Sequence, residues 1–95
     1  MNVRILGPLE VRDRGGLVDI RGHKPRALLA ALSLEAGKAV TTDALIDALW
    51  GEAPPRTARA ALQNYVAQLR RKLEPDPGHP RYLLTEPGMG YRYQP

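Results

Sequence analysis

Residues 57–73 constrain the fold of this chain more than any other segment. Pro54 and Pro55 precede the segment and Pro75 follows it, so a helix here has sharp limits on both sides. Thr57 is a suitable N-cap for that helix. Within the segment, apolar side chains recur at helical spacing, and these are Leu62, Tyr65, Val66, Leu69 and Leu73. The segment therefore predicts a long helix with one buried face.

The opposite face of this predicted helix carries amides and cations. Its polar residues are Arg59, Gln63, Asn64, Gln68, Arg70 and Arg71. Residues 53–73 contain five basic residues and no acidic one, whereas residues 35–52 contain four acids and one base. Amide side chains both donate and accept hydrogen bonds, which suits them to base edges in a DNA major groove, and flanking arginines suit phosphates. The alternative is an ordinary solvated face.

Size and composition limit the remaining possibilities. A chain of 95 residues, 43% of them hydrophobic, supports one domain, residues 1–95, with one modest core. The net charge of +4 is compatible with nucleic acid or an acidic membrane surface as partner. No cysteine is present, which excludes disulfides and thiol catalysis. Arg4, Gly7 and Pro8 interrupt any signal-type apolar region, so we expect a cytoplasmic protein with no membrane partner.

The N-terminal residues predict a small β-sheet. Residues 3–11 alternate β-branched and leucine positions around a Gly-Pro pair, which predicts one strand with a bend. Residues 12–16 have turn composition, and residues 17–20 predict a second short strand. A further brief extended segment is expected at residues 38–40.

Two more helices are predicted before the long one. Residues 25–36 are rich in alanine and leucine, with Pro25 in the first turn and Gly37 at the end. The next helix runs through ALIDALW, with Thr41 or Thr42 as its cap. The expected buried side chains are Leu28, Leu29 and Leu32 in the first helix and Leu45, Ile46, Leu49 and Trp50 in the second.

The C-terminal residues predict a β-hairpin around Pro-Gly-Met-Gly. Tyr91 and Tyr93 have the same strand parity, so they are expected to pack inward while Arg92 points outward. Arg92 would then reach a phosphate or the minor groove, or remain solvated. Two helices joined by a tight turn and followed by a hairpin form a winged helix-turn-helix, so the predicted fold class is α+β.

Catalysis is not indicated. His23 and His79 lie in Gly/Pro-rich loops, far apart in sequence, without a nucleophile or base beside them. Residues 88–90 lack the helix and third glycine of a dinucleotide-binding loop. Trp50 and Tyr65 are expected to be packing anchors rather than platforms for base stacking. We therefore predict a protein that is not an enzyme and uses no cofactor or metal.

Five segments together resemble a known family. ILGPLEV, KPRALLAALSLEAG, ALIDALWGEAPP, LQNYVAQLRRKLEP and GMGYR are similar to the OmpR/PhoB-type winged helix. More narrowly, they resemble the N-terminal DNA-binding domain of the Streptomyces antibiotic regulatory proteins (SARP), including AfsR-like regulators. The resemblance covers essentially the whole chain. Because such relatives continue beyond the wing, a chain ending at Pro95 is expected to be an isolated domain or a very short member.

The resemblance implies a four-stranded N-terminal sheet, three helices and a wing. It implies a transcriptional activator of antibiotic or secondary-metabolite genes that binds double-stranded DNA at promoter direct repeats and recruits RNA polymerase and its sigma factor. A monomer in solution that pairs head-to-tail on DNA follows from the same resemblance. The alternative is a winged-helix module that docks RNA polymerase or another partner without reading DNA itself.

The family's contact positions map onto particular residues here. Base contacts are expected from Gln63, Asn64 and Gln68. Phosphate contacts are expected from Lys24, Arg56, Arg59, Arg70, Arg71 and Arg92. The wing is expected to comprise Thr85, Pro87, Gly88, Met89, Gly90 and Tyr91. Relatives often carry an arginine at the wing tip where this chain has Pro87, so phosphate contact is expected to depend more on the other cations.

Overall fold

Three helices and two antiparallel sheets make up the described part of the chain, residues 2–5, 9–13 and 15–95 of a computed structural model. In chain order the elements are β1 (Asn2–Arg4), β2 (Glu10–Asp13), β3 (Gly16–Leu17), α1 (His23–Leu34), β4 (Ala39–Thr41), α2 (Thr42–Trp50), α3 (Ala58–Leu73), β5 (Leu83–Glu86) and β6 (Gly90–Tyr93). This is the α+β winged helix-turn-helix arrangement that the sequence predicts.

The N-terminal sheet has the strand order β1-β2-β3. Val3 lies opposite Val11, so residues 3–11 form two paired strands, and the prediction of one bent strand is wrong. The pairing brings the two valines onto one face, where Val11 is buried and Val3 packs against the core. The predicted bend at residues 7–8 lies outside the described residues. The sheet has three strands within the described ranges, whereas the resemblance implied four.

The second sheet, with the order β4-β6-β5, is here called the wing sheet. The short extended segment before α2 becomes β4, which pairs with β6 and places Val40 opposite Tyr91. β5 and β6 form the predicted hairpin, with Leu83 opposite Tyr93 and Glu86 opposite Gly90. The C-terminal hairpin is therefore joined to the strand that leads directly into α2.

The helix ends follow their local sequences with one exception. Thr41 caps α2, since its hydroxyl accepts a hydrogen bond from the Ala44 amide at 3.1 Å. Gly37 has a φ of 83° just beyond α1, a conformation that favours glycine. Thr57 precedes α3 but makes no capping hydrogen bond with its side chain, because its φ of −91° and ψ of 14° differ from the extended conformation of a capping residue. The prediction of a Thr57 side-chain cap is wrong.

The core lies where the helices meet the two sheets. Its fully buried side chains of largest volume are Leu28, Leu29, Leu32, Leu45, Leu62, Leu69, Leu83 and Val11. Trp50 stacks on Tyr65 with ring centroids 6.2 Å apart, which confirms that both are packing anchors. Burial, with a smaller effect from Tyr82, raises the pKa of Tyr93 above its ordinary value. Within the described residues, no helix is long and apolar enough to cross a membrane.

Candidate nucleic-acid interface

The polar face of α3 is open to solvent. Gln63, Asn64 and Arg71 are exposed, together with Ala60, and the small side chain of Ala67 lies between them. The helix has 16 residues, which corresponds to a length of about 24 Å. The two alanines leave this face shallow, so another surface can approach the helix closely. The amides of Gln63 and Asn64 and the cation of Arg71 therefore lie on an exposed helix face with small neighbouring side chains.

Gln68 differs from the other two predicted base-contacting residues. Its Nε2 donates a hydrogen bond to the carbonyl oxygen of Arg21 at 2.9 Å, and the side chain is partly buried. Arg21 lies in the segment before α1, 47 positions away in sequence. In this structure Gln68 connects α3 to the segment before α1, and this bond occupies one of its two Nε2 hydrogens. Gln63 and Asn64 remain the accessible amides.

Two of the arginines on α3 already have partners. Arg59 Nη2 lies 2.7 Å from Asp43 Oδ1, and both side chains are largely exposed. An exposed pair of this kind contributes about 0–1 kcal/mol, so a phosphate can displace the carboxylate. Arg70 instead donates from Nε and Nη2 to the carbonyl oxygen of Leu83, and from Nη2 to Thr85 Oγ1. Of Arg70 and Arg71, the exposed Arg71 is the more accessible.

The three cations outside α3 that were predicted to contact phosphates differ from one another in their surroundings. Lys24 Nζ donates to the carbonyl oxygen of Leu49 at the end of α2 and lies 5.3 Å from the centroid of the Trp50 ring. Arg92 is not directed freely outward, because its Nε lies 3.0 Å from Glu86 Oε1 across the hairpin. Arg56 is exposed in the turn before α3.

The predicted wing residues divide into a tip and a base. Pro87, Gly88 and Met89 form the exposed turn, where Gly88 has a φ of 74° and Met89 is 51% exposed. Gly90 is buried, and Tyr91 packs against the core. A groove of about 290 Å³ separates the hairpin from the first turns of α2 and α3 and is lined by Thr42, Arg59, Thr85, Glu86, Gly88, Met89, Gly90 and Tyr91. The tip therefore lies beside the first turns of α2 and α3.

The sequence does not predict the structural role of Glu74. It is 6% exposed, and its carboxylate accepts hydrogen bonds from the backbone amides of Arg81, Tyr82 and Leu83. The available signal was its position, since an acidic residue at the C-terminal end of a helix opposes the helix dipole and requires compensation. The compensating amides come from the segment that enters β5.

These features define a class of protein. A short helix packs against a longer one whose amide-bearing face is exposed, and a hairpin contacts the longer helix through Arg70 and borders its first turn. The domain is therefore a winged helix of the kind found in DNA-binding proteins.

Comparisons with known proteins identify the family. Residues 21–93 match the family described as "Transcriptional regulatory protein, C terminal", and the chain belongs to that family. The chain is 45% identical over 87 residues to the regulatory protein AfsR of Streptomyces coelicolor, covering 92% of this chain and 8% of AfsR. The chain spans less than a third of the length of the curated relatives it matches.

Two solved structures have the same fold. Mycobacterium tuberculosis EmbR superposes with a TM-score of 0.88 at 41% identity, over 99% of this chain and 25% of that one. The DNA-binding domain of Klebsiella pneumoniae RstA, solved in complex with the RstA box, superposes with a TM-score of 0.76 at 24% identity, over 90% of this chain and 82% of that one. The likeness to EmbR and AfsR agrees with the resemblance to SARP-type regulators, and the likeness to RstA shows the fold alone.

Proposed function

We propose that this chain binds double-stranded DNA sequence-specifically, with α3 in the major groove and the wing beside it. The observation that carries the proposal is the exposed face of α3, where Gln63 and Asn64 are open to solvent and Arg71 follows two turns later. A major groove admits one α-helix, and amide side chains recognise adenine by donating and accepting at once. The absence of acidic residues from residues 53–73 removes like-charge repulsion against the phosphates.

In this proposal the predicted contacts have separate tasks. Gln63 and Asn64 contact base edges, and Gln68, whose side chain is held by Arg21, has a smaller part in them. Arg56, Arg59 and Arg71 contact phosphates and fix the register of the helix. Because these cations replace condensed counterions, affinity falls as salt concentration rises.

We further propose that the protein acts as a transcriptional activator. Membership of the transcriptional regulatory family and the similarity to AfsR support this role. Binding as a head-to-tail pair at promoter direct repeats, monomeric behaviour in solution and recruitment of RNA polymerase with its sigma factor follow from the resemblance to SARP-type regulators. Chromosomal DNA as partner implies a cytoplasmic location.

The alternative is a module that docks an acidic protein surface without reading DNA. An acidic surface requires cations, whereas Gln63 and Asn64 contribute little to such docking. The exposed amides therefore favour DNA.

Selection of random duplex DNA on the 95-residue chain tests the proposal. The selected duplex and its scrambled sequence are then titrated at two salt concentrations. We expect an enriched direct repeat that binds about a thousandfold or more tightly than the scrambled duplex, as specific sites do. Equal and salt-sensitive binding to both duplexes would overturn sequence-specific recognition and favour protein docking.

A further inference from the structure

Leu83, the first residue of β5, has both of its backbone polar groups bonded to side chains of α3 and its C-cap. Its carbonyl oxygen accepts from Arg70 at 3.0 Å (Nε) and 2.8 Å (Nη2). Its amide donates to Glu74 Oε2 at 2.8 Å. Arg70 and Glu74 are four positions apart, so their side chains leave the helix on the same side. We call this set of bonds, from Arg70 and Glu74 to residues 81–85, the α3–wing clamp.

The Glu74 half of the clamp is a buried carboxylate held by backbone amides. Oε1 accepts from the Arg81 amide at 2.8 Å and the Tyr82 amide at 3.2 Å. Oε2 accepts from the Tyr82 amide at 3.0 Å and the Leu83 amide at 2.8 Å. Burying a carboxylate is unfavourable unless hydrogen bonds compensate it, and bonds from amides to an ionised acceptor are among the strong ones. These three amides fix the path of the chain into β5.

The Arg70 half of the clamp reaches further along the strand. Its Nη2 also donates to Thr85 Oγ1 at 2.9 Å, two residues beyond Leu83 on β5. A planar guanidinium that bonds two points on a strand fixes the direction of that strand as well as its position. The three bonds come from one rigid group, so they restrict rotation of the hairpin relative to α3.

We propose that Arg70 and Glu74 are positioning residues, which hold the wing at a fixed angle to α3 so that the helix face and the wing tip meet DNA as one rigid unit. This inference rests on the proposed DNA binding. It assigns Arg70 a role different from the phosphate contact expected from the sequence, because its guanidinium is occupied by Leu83 and Thr85.

The two roles of Arg70 differ in their salt dependence. A phosphate contact releases a counterion, and its loss lowers the salt slope by about 0.9. The wing from Thr85 to Tyr91 contains no basic residue, and the adjacent Arg92 is paired with Glu86 at 3.0 Å. If removal of Arg70 displaces the wing, the lost contacts are therefore uncharged, and affinity falls with little change in slope. Arg71, exposed and adjacent in sequence, is the matched comparison.

The test measures wing orientation and DNA binding separately. Residual dipolar couplings of backbone amides in the free 95-residue chain report the angle between residues 83–93 and α3. We expect Arg70→Met to change the wing couplings while those of the helices are retained, and to weaken binding to the selected duplex about tenfold with a slope change well below one. Arg71→Met should leave the couplings unchanged and lower the slope by about one.

A second pair of variants keeps the inference testable if Arg70→Met fails to fold. Thr85→Val removes the hydroxyl acceptor at nearly constant volume, and Thr85→Ser retains it. We expect Thr85→Val to change the wing couplings and Thr85→Ser to restore them. Unchanged couplings in Arg70→Met or in Thr85→Val, or a slope reduction of about one in Arg70→Met, would overturn the positioning role. Because the couplings need no DNA, failure of the clamp is distinguishable from failure of sequence-specific binding, which the wild-type titration reports.

Discussion

The two sheets are attached to the helices in different ways. Arg26 of α1 donates from Nη1 to the carbonyl oxygen of Ile20 at 3.2 Å and from Nη2 to that of Leu9 at 2.8 Å. Both of these residues flank the strands of the N-terminal sheet. In the wing sheet, by contrast, Arg70 bonds to Leu83 and Thr85 within β5 itself.

The wing sheet is also bonded directly to α2. The Thr42 amide, at the start of that helix, donates to the carbonyl oxygen of Met89 in the wing turn at 3.0 Å. The wing hairpin is thus bonded to both helices of the helix-turn-helix. Among the described residues of the N-terminal sheet region, the bonds from Arg26 lie at the ends of the sheet, and apolar contacts such as those of Val11 complete the attachment. The difference indicates that wing orientation is under tighter control than the orientation of the N-terminal sheet.

The largest effect is expected inside the wing sheet, where β6 pairs with β4. A Cβ atom at Gly90 would lie 2.0 Å from the carbonyl oxygen of Val40 and 2.9 Å from the amide nitrogen of Thr42, both backbone atoms. Gly90→Ala should therefore separate β6 from β4 and lower the free energy of unfolding by about 3 kcal/mol, measured by urea denaturation. In the control Gly78→Ala, the new Cβ would meet Asp76 Oδ1 at an ordinary 3.5 Å. Equal stability of the two variants would contradict the close approach.

A smaller effect is expected at the attachment of the N-terminal sheet. Arg26→Met leaves the carbonyls of Leu9 and Ile20 without their donor, which should lower the free energy of unfolding by about 2 kcal/mol. The ratio of affinities for selected and scrambled DNA should stay the same, since this sheet does not set the wing angle. Arg12→Met, which removes only an exposed pair with Glu10, is the stability control. A changed affinity ratio in Arg26→Met would contradict the conclusion that only the wing sheet affects DNA recognition.

On the exposed face of α3, Asn64 is expected to determine which base pair is recognised. Asn64→Ala should reduce discrimination at one base pair about tenfold, or ~1.4 kcal/mol, while binding to scrambled DNA is retained. Competition binding against duplexes with every single base substitution measures the effect. Gln94→Ala removes an exposed amide outside α3 and should leave all affinities unchanged. An unaltered specificity profile in Asn64→Ala would remove this residue from the reading face.

The smallest effect at a fixed salt concentration is expected for Arg71. Arg71→Ala should weaken binding to selected and scrambled DNA equally and lower the salt slope by about 0.9. Titration at several salt concentrations measures the slope, with Arg12→Ala on the N-terminal sheet as the control cation. A loss confined to the selected duplex would mean that Arg71 contacts a base rather than a phosphate.

The sequence predicted most of the elements because their signals are local. The helix over residues 25–36 was displaced by only two residues from α1, and the hairpin around residues 87–90 was found from its turn composition. The error over residues 3–11 arose because alternation indicates strands but does not identify their partners. Thr57 failed as a side-chain cap because residue type alone does not fix the backbone conformation that capping requires.

The site was less predictable because side-chain partners lie far away in sequence. Nothing near Gln68 indicates that Arg21, 47 positions earlier, supplies its acceptor. The partner of Lys24 is Leu49, 25 positions later, and Arg70 reaches Leu83. From sequence alone, a polar side chain on a helix is expected to face solvent. Only the folded structure shows whether a buried carbonyl lies close enough to accept its hydrogen bond. Gln63, Asn64 and Arg71 are exposed, as their position opposite the apolar residues of the helix predicts.

The clamp has a consequence for association between copies of the protein. β5 lies at the edge of its sheet, and exposed backbone groups on an edge strand can template pairing with a strand from another molecule. At Leu83 the amide and the carbonyl are already taken by Glu74 and Arg70, so an incoming strand finds neither donor nor acceptor there. Glu74 and Arg70 thus oppose strand addition at the start of this edge.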